Sequence, residues 1–340
     1  MSLSPAHRDN LLRWTPDRQG GFYESHFIKV NLLEEKAAFW WKFTVTQPLE
    51  GMGPARFEVW VAFFDVSDPS QSCAARHTFP GTETSIQRDK LRCLYGENLL
   101  EHDRSHGEIQ GPNHFSWDIR WDVKDTGFRH FPKDWMYEGG FPKTKALTPS
   151  IDTRFFGEAT VNGRTFDLTG RPGMQGHNWG LKHAESWVWT HCNAFEGADS
   201  VVFESVSSRI NVGPVSSPTL TILHVQDDTG EPLTVNGWLE MVRVTSELDG
   251  LCWRFRGHQG ARGIQGVFQA PAERFVGLNY ADPDGRLTHC LNSKVADGEL
   301  RILHKHHGNW RLHRSFSSRA SAALEIGIKD QTHGVHIHVE

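Results

Sequence analysis

Apolar and polar positions alternate along most of the chain in short runs. AAFWWKFTVT from Ala37, ARFEVWVAFFDV from Ala55 and HFSWDIRWDV from His114 are rich in aromatic and β-branched residues. SWVWTHCNAF from Ser186, SVVFESVSSRI from Ser200 and SPTLTILHVQD from Ser217 continue the pattern. A period of two puts successive side chains on opposite faces, as half-buried strands require. Gly, Pro, Asn and Asp break the runs, and Val161-Asn162-Gly163-Arg164 and Asp282-Pro283-Asp284-Gly285 read as turns. No long segment has a helical period, and 88–100 reads either as a short helix or as an irregular strand. The expectation is an all-β chain of antiparallel barrels or sandwiches with few short helices. At 340 residues the chain exceeds the usual size of one core, so two domains are expected. A segment rich in Pro, Gly, Thr and Lys over 141–172 places the boundary near Gly170, giving domains 1–170 and 171–340.

Composition adds one unusual feature. Charged residues make up 23% and apolar ones 38%, but the chain carries 13 tryptophans and 21 phenylalanines. Rings on that scale can fill a core or line a large apolar cavity. The net charge of -5 and the lack of basic runs argue against nucleic-acid binding. No signal peptide or membrane span is expected, although transient membrane contact to collect a substrate is compatible with the composition. Five widely spaced cysteines without a CxxC motif point to free thiols and a cytoplasmic location.

Common catalytic signatures are missing: there is no GxSxG elbow, phosphate loop or HExxH helix. His304, His306 and His307 cluster, as do His333, His336 and His338, but neither group brings a nearby carboxylate or thiolate. These read as surface histidines, and no metal is expected.

The densest constellation is MQGHNWGLKHAESWVWTHCNAF, from Met174 to Phe195. In an extended segment His177 and Trp179 share one face and Asn178 takes the other. Over 186–195, Trp187, Trp189, His191, Asn193 and Phe195 share a face, while Val188, Thr190, Cys192 and Ala194 form a small face. Rings with polar tips suit the wall of a small-molecule pocket, with core packing as the alternative. The next run sets Glu204 among Val201, Val202, Phe203 and Val206. Folded back antiparallel, it would bring Glu204 within reach of the Trp–His face. Burial should raise its pKa and make it a proton donor.

The Gly-x-His-x-Trp-Gly element, the Trp-x-Trp strand and the acidic strand after it resemble the carotenoid 1,2-hydratase group. That group is also called hydroxyneurosporene synthase or AttH-like. FWWKFTVTQP from Phe39 resembles its early aromatic strand. Fungal Diels–Alderases and kievitone hydratase are more distant relatives by architecture. The resemblance implies two packed lipocalin-like β-barrels, a pocket near their junction, no cofactor, and acid-assisted chemistry on a long apolar polyene or terpenoid. It places His177 and Trp179 at the paired His and Trp positions of the group. The group's later Tyr/Asp pair is not reproduced, and Glu204 stands near the corresponding strand. The expected site is therefore His177, Trp179 and Glu204 as catalytic residues, with Trp187, Trp189, His191, Asn193 and Asn178 contacting substrate. A cofactor-independent hydratase or cyclase is the leading expectation. A non-catalytic carrier of a hydrophobic molecule and a histidine-rich metal enzyme are its rivals.

Overall fold

The computed structural model describes residues 4–124, 127–212, 215–228, 230–330 and 333–339. Two large antiparallel sheets dominate, of 13 and 11 strands among the described residues, and the helices are short. Each run read as a strand is one: Ala37–Gln47, Arg56–Asp65, Phe115–Trp121, Ser186–Cys192, Val202–Arg209 and Leu220–Gln226. The ambiguous 88–100 segment forms two short strands, Arg92–Tyr95 and Asn98–Glu101, rather than a helix. Asn162 (φ 48°) and Gly163 (φ 82°) form the tight turn that joins Thr144–Val161 to Arg164–Asp167. Left-handed φ at both central residues matches the right-handed twist of the paired strands.

Both sheets curl. In the first, Cys73–Phe79 comes back to touch Arg104–Ile109. In the second, Leu233–Val235 touches Cys252–Gln259. Strand Arg171–Gly180, which follows the expected boundary at Gly170, pairs with Phe22–Leu32 and Thr144–Val161 in the first sheet. The change of sheet comes only between Gly180 and Ser186.

The alternation explains how the sheets pack. In Ala37–Gln47, Phe39, Trp41, Phe43 and Val45 enter the first core, while Ala38 and Trp40 enter a second apolar layer. Arg56–Asp65 does the same, sending Val59, Val61 and Phe63 one way and Trp60, Ala62 and Phe64 the other. That second layer also holds Val276, Leu278, Tyr280 and Val295 of the other sheet. These strands are apolar on both faces because both faces are covered, one by their own barrel and one by the neighbouring sheet. Each large side chain buried there contributes about 1.5–3 kcal/mol. The five cysteines are free. No helix among the described residues is long and apolar enough to cross a membrane.

Candidate active site

A cavity of about 280 Å³ lies where the two sheets face each other. The first sheet contributes Phe27, Trp40 and Lys42, and the second contributes Trp187, Trp189 and Glu204. Phe141 and Trp238 stand at its mouth, 41% and 43% exposed, with ring centroids 5.9 Å apart.

Glu204 is fully buried on the wall. Its strand, Val202–Arg209, pairs antiparallel with Ser186–Cys192, as assumed, and His191 lies opposite Glu204. Oε1 accepts hydrogen bonds from Thr148 Oγ1 at 2.6 Å and from Trp189 Nε1 at 3.0 Å. His130 Nε2 stands 3.2 Å from the same oxygen but is not aligned for a hydrogen bond to it, while its Nδ1 donates to the Ala146 carbonyl at 3.1 Å. Glu204 Oε2 has no partner among the described residues. The expected rise in the Glu204 pKa does not occur. Burial does push it up, but His130 and the Thr148 hydroxyl outweigh burial and hold the carboxyl down to about 2. Glu204 is therefore a carboxylate, with the His130 imidazole as its neighbour on the wall.

His177 and Trp179 depart from expectation in a different way. They do share a face, but it is the one turned into the first barrel, with Ile28 and Val30 of the neighbouring strand. Trp179 packs in that core beside Tyr137 and does not line the cavity. His177 borders the cavity, yet both of its nitrogens are engaged inside the barrel. Nδ1 donates to the Asp9 carbonyl at 2.7 Å, and Nε2 lies 2.8 Å from Glu24 Oε1. Burial raises the Glu24 carboxyl and lowers His177 to about 3, so it disfavours the charged form of each. His26 stacks on His177 at 3.9 Å and donates from Nε2 to the Asn10 carbonyl at 2.9 Å. Glu24, His26 and His177 are the group among the described residues whose ligand atoms lie within 4.8 Å of one another. Their contacts with Asp9 and Asn10 make them a hydrogen-bonded post for the N-terminal segment.

His191 and Asn193 also leave the wall. The second half of the aromatic face is covered by the first sheet, and these two residues bridge the gap. His191 Nε2 donates to the Ile151 carbonyl at 2.8 Å. Asn193 Nδ2 donates to the Gly173 carbonyl at 2.9 Å and to Asp152 at 2.8 Å. Only the Trp187–Trp189 end stays open to the cavity. Val188 and Cys192, the small face, pack into the second core. Asn178 lines the cavity and accepts a hydrogen bond from Ser25 Oγ at 2.6 Å. The motif glycines work by close approach. A Cβ on Gly176 would sit 2.2 Å from the Phe27 ring, and one on Gly180 would sit 2.3 Å from the Lys143 carbonyl.

Two cavity histidines escaped the sequence reading as site residues. His130 follows a two-residue strand and has no periodic context. His183 stacks on Tyr23 at 4.1 Å, and its Nδ1 lies 2.7 Å from Asp282 Oδ1. Its neighbours in sequence could not signal a carboxylate so far along the chain.

Comparison with known proteins places this geometry. Residues 151–328 match the model of a family described as tocopherol cyclase-like. An uncharacterized protein of Mycobacterium tuberculosis, found in two strains, is 24% identical over 215 residues, or 62% of this chain. The chain spans 63% of the length of these curated relatives. Among solved structures, a putative AttH from Nitrosomonas europaea is similar with a TM-score of 0.53 and 11% identity, over 93% of this chain and 98% of that one. CghA is similar with a TM-score of 0.53 and 11% identity, over 99% and 95%. The shared fold is all-β, with two lipocalin-like units packed together.

Proposed function

Because the chain belongs to the tocopherol cyclase-like family, we propose that it is a cofactor-independent enzyme that protonates an apolar isoprenoid or polyene-type substrate and completes hydration or ring closure. The division into two domains is part of this reading, with the boundary between Gly180 and Ser186 and the substrate held between them. The observation that carries it is the 3.2 Å approach of His130 Nε2 to Glu204 Oε1, buried at 2% and 0% side-chain exposure yet opening onto an aromatic cavity.

In the proposed reaction His130 Nε2 gives its proton to an alkene carbon, and the alkene π pair forms the new C–H bond. His130 is left neutral, still anchored through Nδ1. The resulting cation faces the Glu204 carboxylate and the Trp187 and Trp189 rings, all of which favour positive charge. Water or a hydroxyl of the substrate then bonds to the cationic carbon, and its proton returns to His130. Leu239 and Val242, exposed beside Trp238 at the mouth, suit collection of substrate from an apolar phase.

A carrier is the second reading. It is favoured by the engagement of both His177 nitrogens inside the first barrel and by the packing of Trp179 in its core. Incubation with an isoprenoid lipid extract in deuterium oxide, followed by mass spectrometry, separates the two. The enzyme returns a product with a carbon-bound deuterium; a carrier returns every ligand unchanged and unlabelled, which would overturn the proposal.

A further inference from the structure

Lys42 sits in the run FWWKFTV, on the face of its strand that Trp40 shares and that leaves the first core. It is 6% exposed and lines the cavity. Its Nζ lies 3.6 Å from the centre of the Tyr280 ring and 5.9 Å from that of Trp40. Among the described residues it has no hydrogen bond and no ion pair, although Glu325 and Glu58 act on it through space. Other buried lysines nearby are partnered: Lys145 donates to the Pro142 carbonyl, and Lys294 pairs with Glu325 at 3.4 Å. The ring faces attract the ammonium but offer its hydrogens no acceptor. Trp40 Nε1, also buried on the wall, likewise has no acceptor. Glu325 acts on both Lys42 and Lys294 but pairs with Lys294, which leaves the Lys42 ammonium without an acceptor. A buried ammonium in that state calls for an anionic partner.

We propose that the Lys42 end of the cavity binds an anionic oxygen of the substrate, a carboxylate or an enolate. This rests on the reading of the cavity as a site for an apolar substrate. Trp189 spans the two polar ends: Lys294 Nζ lies 4.8 Å from its ring centre, and its Nε1 donates to Glu204. A substrate anchored by its oxygen at Lys42 therefore lays its chain along the Trp189 ring toward His130. The substrate class is an isoprenoid or polyene acid, or an enolisable ketone, rather than a plain hydrocarbon.

Isothermal titration of decanoate and decanol into the wild-type protein and Lys42→Met tests this. The wild type is expected to bind decanoate at least about tenfold more tightly than decanol, as a buried charge-assisted hydrogen bond provides. Lys42→Met is expected to lose that preference while binding decanol as before, which also reports that it is folded. A wild type without preference, or a preference that survives in Lys42→Met, overturns the inference and leaves the apolar-cavity reading standing. Failure of the wild type to bind either probe overturns both.

Discussion

Lys29 Nζ lies 3.4 Å from His191 Nδ1, joining the first sheet to the second where no water reaches either residue. Lys29 also donates to the Ser321 carbonyl at 3.3 Å. His191 Nε2 carries the hydrogen given to Ile151, so Nδ1 is the acceptor and the imidazole is neutral. Burial lowers His191 to about 3, with Lys29 adding to the shift. Burial likewise lowers Lys29 to about 7. Between pH 7 and the unfolded value of 10.5 the unfolded chain holds a proton that the folded chain does not, so stability rises with pH across that window. Lys29→Met is therefore expected to stabilise the protein by about 1–4 kcal/mol at pH 6. The gain should shrink as pH approaches 10.5, as read by urea denaturation at each pH; a constant gain would contradict the assignment.

Acid should unfold the protein earlier than its carboxylates alone would. His26, His177 and His191 are each lowered by burial from 6.5 to about 3. Their stabilisation is complete above pH 6.5 and is lost as pH falls toward 3, on the order of 1.4 kcal/mol per pH unit for each. Glu204, held down to about 2, adds a further loss below its unfolded value of 4.5. Glu24, raised by burial, works the other way from pH 4.5 upward, one group against three histidines. Melting temperature measured from pH 7 to pH 4 should fall steadily; a flat profile would mean these histidines are charged in the folded protein.

In the proposed reading His177 and Trp179 hold the first barrel together and take no part in the reaction. Trp179→Ala is expected to cost roughly 3–5 kcal/mol of stability through lost packing. His177→Ala removes a buried donor from the Asp9 carbonyl and a partner from Glu24, a cost of about 1–3 kcal/mol. It should also expose residues 4–13 to limited proteolysis. Unchanged stability together with abolished turnover would return both residues to the chemistry.

Part of this site was legible in the sequence. The alternation located the small face correctly up to Cys192, where the strand ends, but put Phe195 on the wrong face: it packs into the second core with Val188 and Cys192. The assumed pairing of that strand with the Glu204 strand is the one that forms. Alternation could say that His177 and Trp179 share a face but not which side of the sheet it turns to, because both sides are covered. The Glu204 shift was misjudged because its sign is set by His130 and Thr148, which come from the other sheet. His130 lies in an irregular stretch where no period marks a buried residue. Lys42 was passed over for the opposite reason: it is one polar residue in an otherwise apolar run, and alternation alone does not say whether its face is covered.

The central claim is that the buried His130–Glu204 pair moves a proton to carbon. Its most direct test is product deuteration in deuterium oxide, measured side by side for the wild type and Glu204→Gln. Gln keeps the shape and can still accept from Thr148 or Trp189, but removes the charge that faces His130 and the developing cation. The account predicts labelled product from the wild type and a rate lower by about 10²–10⁴ in the variant, with ligand still bound. Equal labelling in the two proteins would contradict it.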